Sequence, residues 1–188
     1  MVLARQQGED AGTYTITATG GNDQGNYRVT FETGTFTISQ RRLRVRAGIT
    51  ASDKTYDGTA DAELDLSEVA FDNLVPGDEV TVTATGAFED KNVAYEGGEV
   101  AAKRVSITGI AVSGPKAHNY ALVADNQAAT EARIHPKQVG VSGITAADKP
   151  YDGTTEATLD LSAASVDGKV EGDDVTVASA TGTFASNA

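Results

Sequence analysis

Two heptapeptides, Asp53-Lys54-Thr55-Tyr56-Asp57-Gly58-Thr59 and Asp148-Lys149-Pro150-Tyr151-Asp152-Gly153-Thr154, each crowd two carboxylates, an amine and a phenol into one stretch. Carboxylates so placed could gather calcium, which takes six to eight oxygen ligands. The phenol could stack on a sugar, and the amine could form an isopeptide crosslink to an asparagine. The acids recur as pairs: Asp53/Asp148, Asp57/Asp152, Asp61/Glu156, Asp65/Asp160, Asp78/Asp173 and Glu79/Asp174. Acids four apart on a strand lie ~13 Å apart at about 3.3 Å per residue, so one series cannot share an ion. No Asp-x-Asp-x-Asp-Gly loop occurs. Solvated acidic loops, with no cofactor, are the expected reading. The calcium alternative is a site joining Asp53 or Asp57 to Asp78 or Glu79. Nothing in the sequence selects Lys54 for crosslinking.

Asp-Gly is a turn pair, because Asp bonds the backbone ahead of it and Gly tolerates positive φ. A tyrosine before such a turn is expected to bury its ring and bond its hydroxyl to backbone, as at sandwich corners. Both copies carry the whole phrase, which favours structure over sugar stacking. Tyr56, Asp57, Gly58, Tyr151, Asp152 and Gly153 are therefore assigned to a structural motif.

Arg42, Arg44 and Arg46 share one strand face, opposite Leu43 and Val45. They are either a polyanion contact or, as we favour, partners for the acidic residues that follow. Catalysis finds little support. His118 and His135 are the only histidines, and no Gly-x-Ser-x-Gly elbow, His-Glu-x-x-His or phosphate loop occurs. The expectation is no enzyme. Cysteine is absent, which excludes disulfides and thiolate chemistry. The net charge of −12 divides as +2 over residues 1–46, −9 over 47–135 and −5 over 136–188. An acidic surface repels nucleic acid and anionic membrane. No apolar run reaches the ~18 residues of a membrane helix, and the polar start, Met1 to Asp10, is unlike a secretory signal.

Short strands must position these groups. Tyr14–Thr19, Tyr27–Phe31, Thr35–Ile38 and Val80–Thr85 alternate apolar and hydroxyl residues, and Gly-containing turns separate them. Spacing near ten residues points to a β-sandwich. Leu66–Leu74 and Leu161–Lys169 read as loop or single turn. The 95-residue offset that relates the heptapeptides also carries Leu64 onto Leu159, Gly77 onto Gly172 and Val82 onto Val177. A period this long means tandem independent domains. Residues 41–136 make a complete module and 137–188 the first part of a second. Residues 1–40 read as the second half of a related module, because Asn26-Tyr27 and its following run parallel Asn119-Tyr120.

The phrase Asp-Lys-x-Tyr-Asp-Gly-Thr, twice at matched spacing and closed by Asn119-Tyr120, resembles the YDG-type repeat domains of large bacterial surface adhesins. Gly8–Thr17, Gly25-Asn26-Tyr27 and Gly34–Ile38 are similar to the end of an MBG-type repeat. Such repeats occur together in filamentous-haemagglutinin-like exoproteins. The resemblance implies tandem immunoglobulin-like β-sandwich modules, exported and displayed at the bacterial cell surface, with no catalytic residues. The expected role is a stalk or spacer in adhesion or biofilm formation. The alternative is a module that binds glycan or matrix polysaccharide through junction residues. Expected partners are neighbouring modules of the chain, polysaccharide or host surface, and other copies through the incomplete end modules. Neither nucleic acid nor membrane insertion is expected.

Overall fold

Strands rich in β-branched and hydroxyl residues bury one face and wet the other. The computed structural model describes residues 1–185. Among them every regular element is a β-strand, save a 3-10 turn at Ala117–Asn119. The fold is all-β and sandwich-like. Two units are distinguished. One holds Met1–Ser52, Asp61–Glu89 and Ala102–Ala132; the other holds Asp53–Ala60, Asp90–Ala101 and the chain from Arg133 onward.

In the first unit, Arg41–Ala47 lies between Ala70–Asp72, antiparallel, and Tyr120–Leu122, parallel. Facing them is an antiparallel sheet ordered Ala129–Ala132, Lys103–Ser113, Thr81–Phe88 and Asp61–Ala62. Val45, Ile49, Val82 and Ile107 are buried together, with Leu64, Phe71 and Leu122 packed against them. Each such side chain contributes roughly 1.5–3 kcal/mol when fully buried, so this cluster holds the two sheets together. The segment after Tyr120–Leu122 completes the edge with side chains. Asn126 Oδ1 accepts from Val45 N–H (2.8 Å), and Gln127 both accepts from Ile49 N–H (3.0 Å) and donates to its carbonyl (2.7 Å). Residues 1–40 form a smaller sheet, Val2–Arg5, Gly12–Thr19 and Gly34–Ile38 in sequence order.

The second copy repeats several pairings of the first, without the bulge between Ala70 and Phe71. Leu64 pairs with Ala51 and Leu159 with Ala146; Ala70 pairs with Ala47 and Ser165 with Ser142. Gly48 and Gly143 have φ of 94° and 77°, and a Cβ on either would stand 2.0 Å from a carbonyl oxygen, of Glu68 or Ala163. Only glycine fits there.

Two expectations about elements need correction. The stretches read as loop contain strands, Ala70–Asp72 and Ser165–Asp167. Their signal was short: Phe71 packs on the core, and the next turn uses positive φ at Asn73 (68°) and Gly168 (86°). Conversely, of Tyr27–Phe31 only Tyr27–Arg28 is paired, with Asp23–Gln24. Tyr27 is 78% exposed, unlike Tyr120 at 4%. The parallel between them holds in sequence but not in burial.

Candidate functional site

The two heptapeptides close on themselves. Asp57 Oδ1 accepts from the backbone N–H (2.9 Å) and hydroxyl (3.0 Å) of Thr59. Lys54 Nζ donates to Asp57 Oδ2, Thr59 O and Thr59 Oγ1, each at 3.0 Å. In the second copy Lys149 Nζ reaches Asp152 Oδ1 (2.9 Å), Thr154 O (3.0 Å) and Thr154 Oγ1 (2.8 Å). Asp152 Oδ1 accepts from Thr154 N–H at 2.9 Å. The lysine hydrogen bond, then the threonine N–H, lowers both aspartates to about 2. An ammonium so surrounded is a staple across a turn, not a free nucleophile.

Other carboxylates serve turns likewise. Asp65 and Asp160 accept from Ser67 and Ser162 N–H, both at 2.9 Å. Asp53 accepts from Arg133 N–H (2.6 Å) and lies 3.4 Å from His135 Nε2. The strand Ile134–His135 runs parallel to Lys54–Thr55, which ties the motif to the module's closing strand. Among the described residues no three His, Asp or Glu side chains are gathered as a metal site.

The corner role expected of Tyr56 and Tyr151 is corrected. Tyr56 is half-buried and Tyr151 is 83% exposed. Gly58 and Gly153 do take positive φ, 84° and 76°. The turn is held by lysine and threonine, so the ring need not enter the core. Tyr120, like Tyr14, is buried. Its hydroxyl accepts from Val75 N–H (3.1 Å) and donates to Asp78 Oδ2 (2.5 Å), and burial raises its pKa. Its neighbour Asn119 has a different task. Asn119 Oδ1 accepts from Ala11 N–H (2.5 Å) and its amide donates to Asp10 Oδ1 (2.8 Å). Lys116 Nζ donates to the same oxygen at 2.8 Å, and His118 Nε2 lies 3.5 Å from Asp10 Oδ2. The lysine bond and then the asparagine bond lower Asp10 to about 2. This latch fastens residues 1–40 to the following module. Sequence reading missed Asp10 and Lys116, which lie 106 residues apart and have no local pattern.

The arginines alternate with the core as expected: Leu43 and Val45 are fully buried. Arg44 pairs with Asp125 (3.0 Å) and Asp72 (3.7 Å), and Arg46 with Asp72 (3.2 Å). Arg42 is exposed. Two of the three are thus engaged by acids of their own module, which disfavours a polyanion site.

Two clefts flank these features. One, of about 340 Å³, lies among Glu9, Asp10, Ala11, Val75, Asp78 and Lys116. The other, of about 370 Å³, is bounded by Tyr56, Asn92, Val93, Lys137, Val170 and Asp173.

The YDG domain family model matches residues 39–129 and 135–188, and the MBG domain (YGX type) model matches residues 1–37. No match was found among the curated proteins or the solved structures.

Proposed function

The chain belongs to the YDG domain family, and on that footing we propose that it is a non-catalytic spacer, part of the stalk of an exported bacterial surface adhesin. Its modules hold a distal binding region away from the cell in adhesion or biofilm formation. The observation that carries this reading is the latch of Asp10 on Lys116 and Asn119. A spacer transmits position only if successive modules resist bending, and side-chain bonds at a boundary supply that resistance where a bare linker would not. Acids and lysines that a catalyst would direct at a substrate are here spent on turns. Gold-labelled antibody to residues 41–136 should mark intact producing cells, along fibres outside the outer membrane. Labelling that appears only after permeabilisation overturns the reading.

A second reading, a glycan-binding module, is favoured by one feature. Tyr56, Asn92, Lys137 and Lys169 line one cleft and together offer a ring face, an amide and two cations to an acidic oligosaccharide. Titration with uronic-acid oligosaccharides decides it. Saturable binding abolished by Lys137→Gln and Lys169→Gln would establish this reading, and a flat titration would remove it.

A further inference from the structure

Two turns share one sequence frame, Val75-Pro76-Gly77-Asp78 and Val170-Glu171-Gly172-Asp173. They also share one geometry. Asp78 N–H donates to Val75 O at 3.0 Å and Asp173 N–H to Val170 O at 3.2 Å, with glycine φ of 92° and 87°. Each turn borders a cleft shared with residues that precede its own module. Val75 and Asp78 share a cleft with Glu9, Asp10 and Ala11. Val170 and Asp173 share one with Tyr56 and Asn92.

The second contact is close. A Cβ on Gly58 would stand 2.8 Å from Cγ1 of Val170, so the valine methyl rests on the bare α-carbon. Asp173 Oδ1 is 3.6 Å from Lys91 Nζ, which lies 6.0 Å from the centre of the Tyr56 ring. Tyr56, and then Asp173, raise the Lys91 pKa. Among the described residues the second heptapeptide builds the same surface without the cover. Gly153 has the same backbone conformation, yet a Cβ there would meet only the Tyr151 hydroxyl, at 4.0 Å. Tyr151 is 83% exposed.

We propose that the Val-x-Gly-Asp turn is the element by which a YDG module docks on the module before it. The Tyr151–Gly153 surface is then a receiving site for the same turn of a further YDG module. The valine methyls fill the space over Gly153, as Val170 does over Gly58. This rests on the spacer reading only for the identity of the occupant. The docking geometry is continuous with the contact already made at Tyr56 and Gly58.

Tyrosine nitration by tetranitromethane, mapped by peptide mass spectrometry, tests both halves. In the chain as it stands Tyr151 should react several-fold faster than Tyr56, and Val170→Asp should bring Tyr56 up to the rate of Tyr151. An unchanged Tyr56 rate overturns the docking role. Extending the chain by its own residues 91–188 completes the second copy and adds a third turn. Tyr151 should then slow several-fold, and replacing the added valine by Asp should reverse the slowing. Tyr151 reacting at its original rate in the extended chain overturns the receiving site. So does its protection in the unextended chain by uronic-acid oligosaccharide alone, which would assign the surface to glycan. None of these outcomes bears on display at the cell surface, which antibody labelling decides separately.

Discussion

Lys54 and Lys149 explain why the heptapeptide is written as it is. An acid three residues on and a threonine two beyond it supply the acceptors one ammonium needs, and the glycine between them turns the backbone. The aspartates are lowered to about 2 in the folded chain, below the ordinary carboxylate range. A depressed folded pKa contributes stability that is present above the unfolded value and lost as pH falls through the folded one. The turns should therefore loosen between about pH 4 and pH 2, read as loss of amide protection at Thr59 and Thr154. Lys54→Met should return Asp57 toward the ordinary carboxylate range while Asp152 stays low, measured by carboxyl NMR titration. If Asp57 stays low in that variant, the staple is wrong. Tyr120→Phe should cost about 1–3 kcal/mol in denaturant unfolding, since it leaves Val75 N–H and Asp78 without their shared hydroxyl. The Asp-Gly turns were legible because their geometry is local. The fate of the tyrosines was not, because a ring's burial depends on what a distant segment brings to it.

Strand ladders repeat between the copies because the glycines that permit close approach repeat. Gly48 and Gly143 each sit under a carbonyl with positive φ. Gly48→Ala should destabilise the first module by about 1–3 kcal/mol, the range for a strained backbone position, as a lowered unfolding midpoint. A midpoint equal to that of the parent chain would mean the carbonyl moves aside freely. Alternation revealed the long strands Gly12–Thr19 and Thr81–Phe88. It could not reveal Ala70–Asp72, where three residues are too few to show a period and Phe71 is the sole large apolar signal. Nor could it show Asn126 and Gln127, whose amides stand in for a missing strand. Polar residues in a turn-like stretch give no hint that their side chains act as backbone.

Across the whole molecule, the copies share ladders but not burial. Ile49 is 1% exposed and its counterpart Ile144 38%. Ile107, which packs with Ile49, belongs to the strand Lys103–Ser113, which has no second counterpart among the described residues. Ile49→Ala should thus cost about 2–5 kcal/mol as a core truncation, and Ile144→Ala much less; equal costs would contradict the burial. The repeat made this asymmetry readable in advance, whereas the Asp10 latch had no precursor in any motif. That latch is also where the spacer account is most exposed. Nitroxide labels at Thr17 and Thr83, replaced by cysteine in a chain that has none of its own, report the junction between residues 1–40 and the module they precede. Pulsed electron resonance should give a single narrow distance distribution that broadens in Asp10→Ala with Lys116→Ala. A broad distribution in the unmutated chain would mean the modules swing freely, and a freely swinging segment cannot hold anything at a distance.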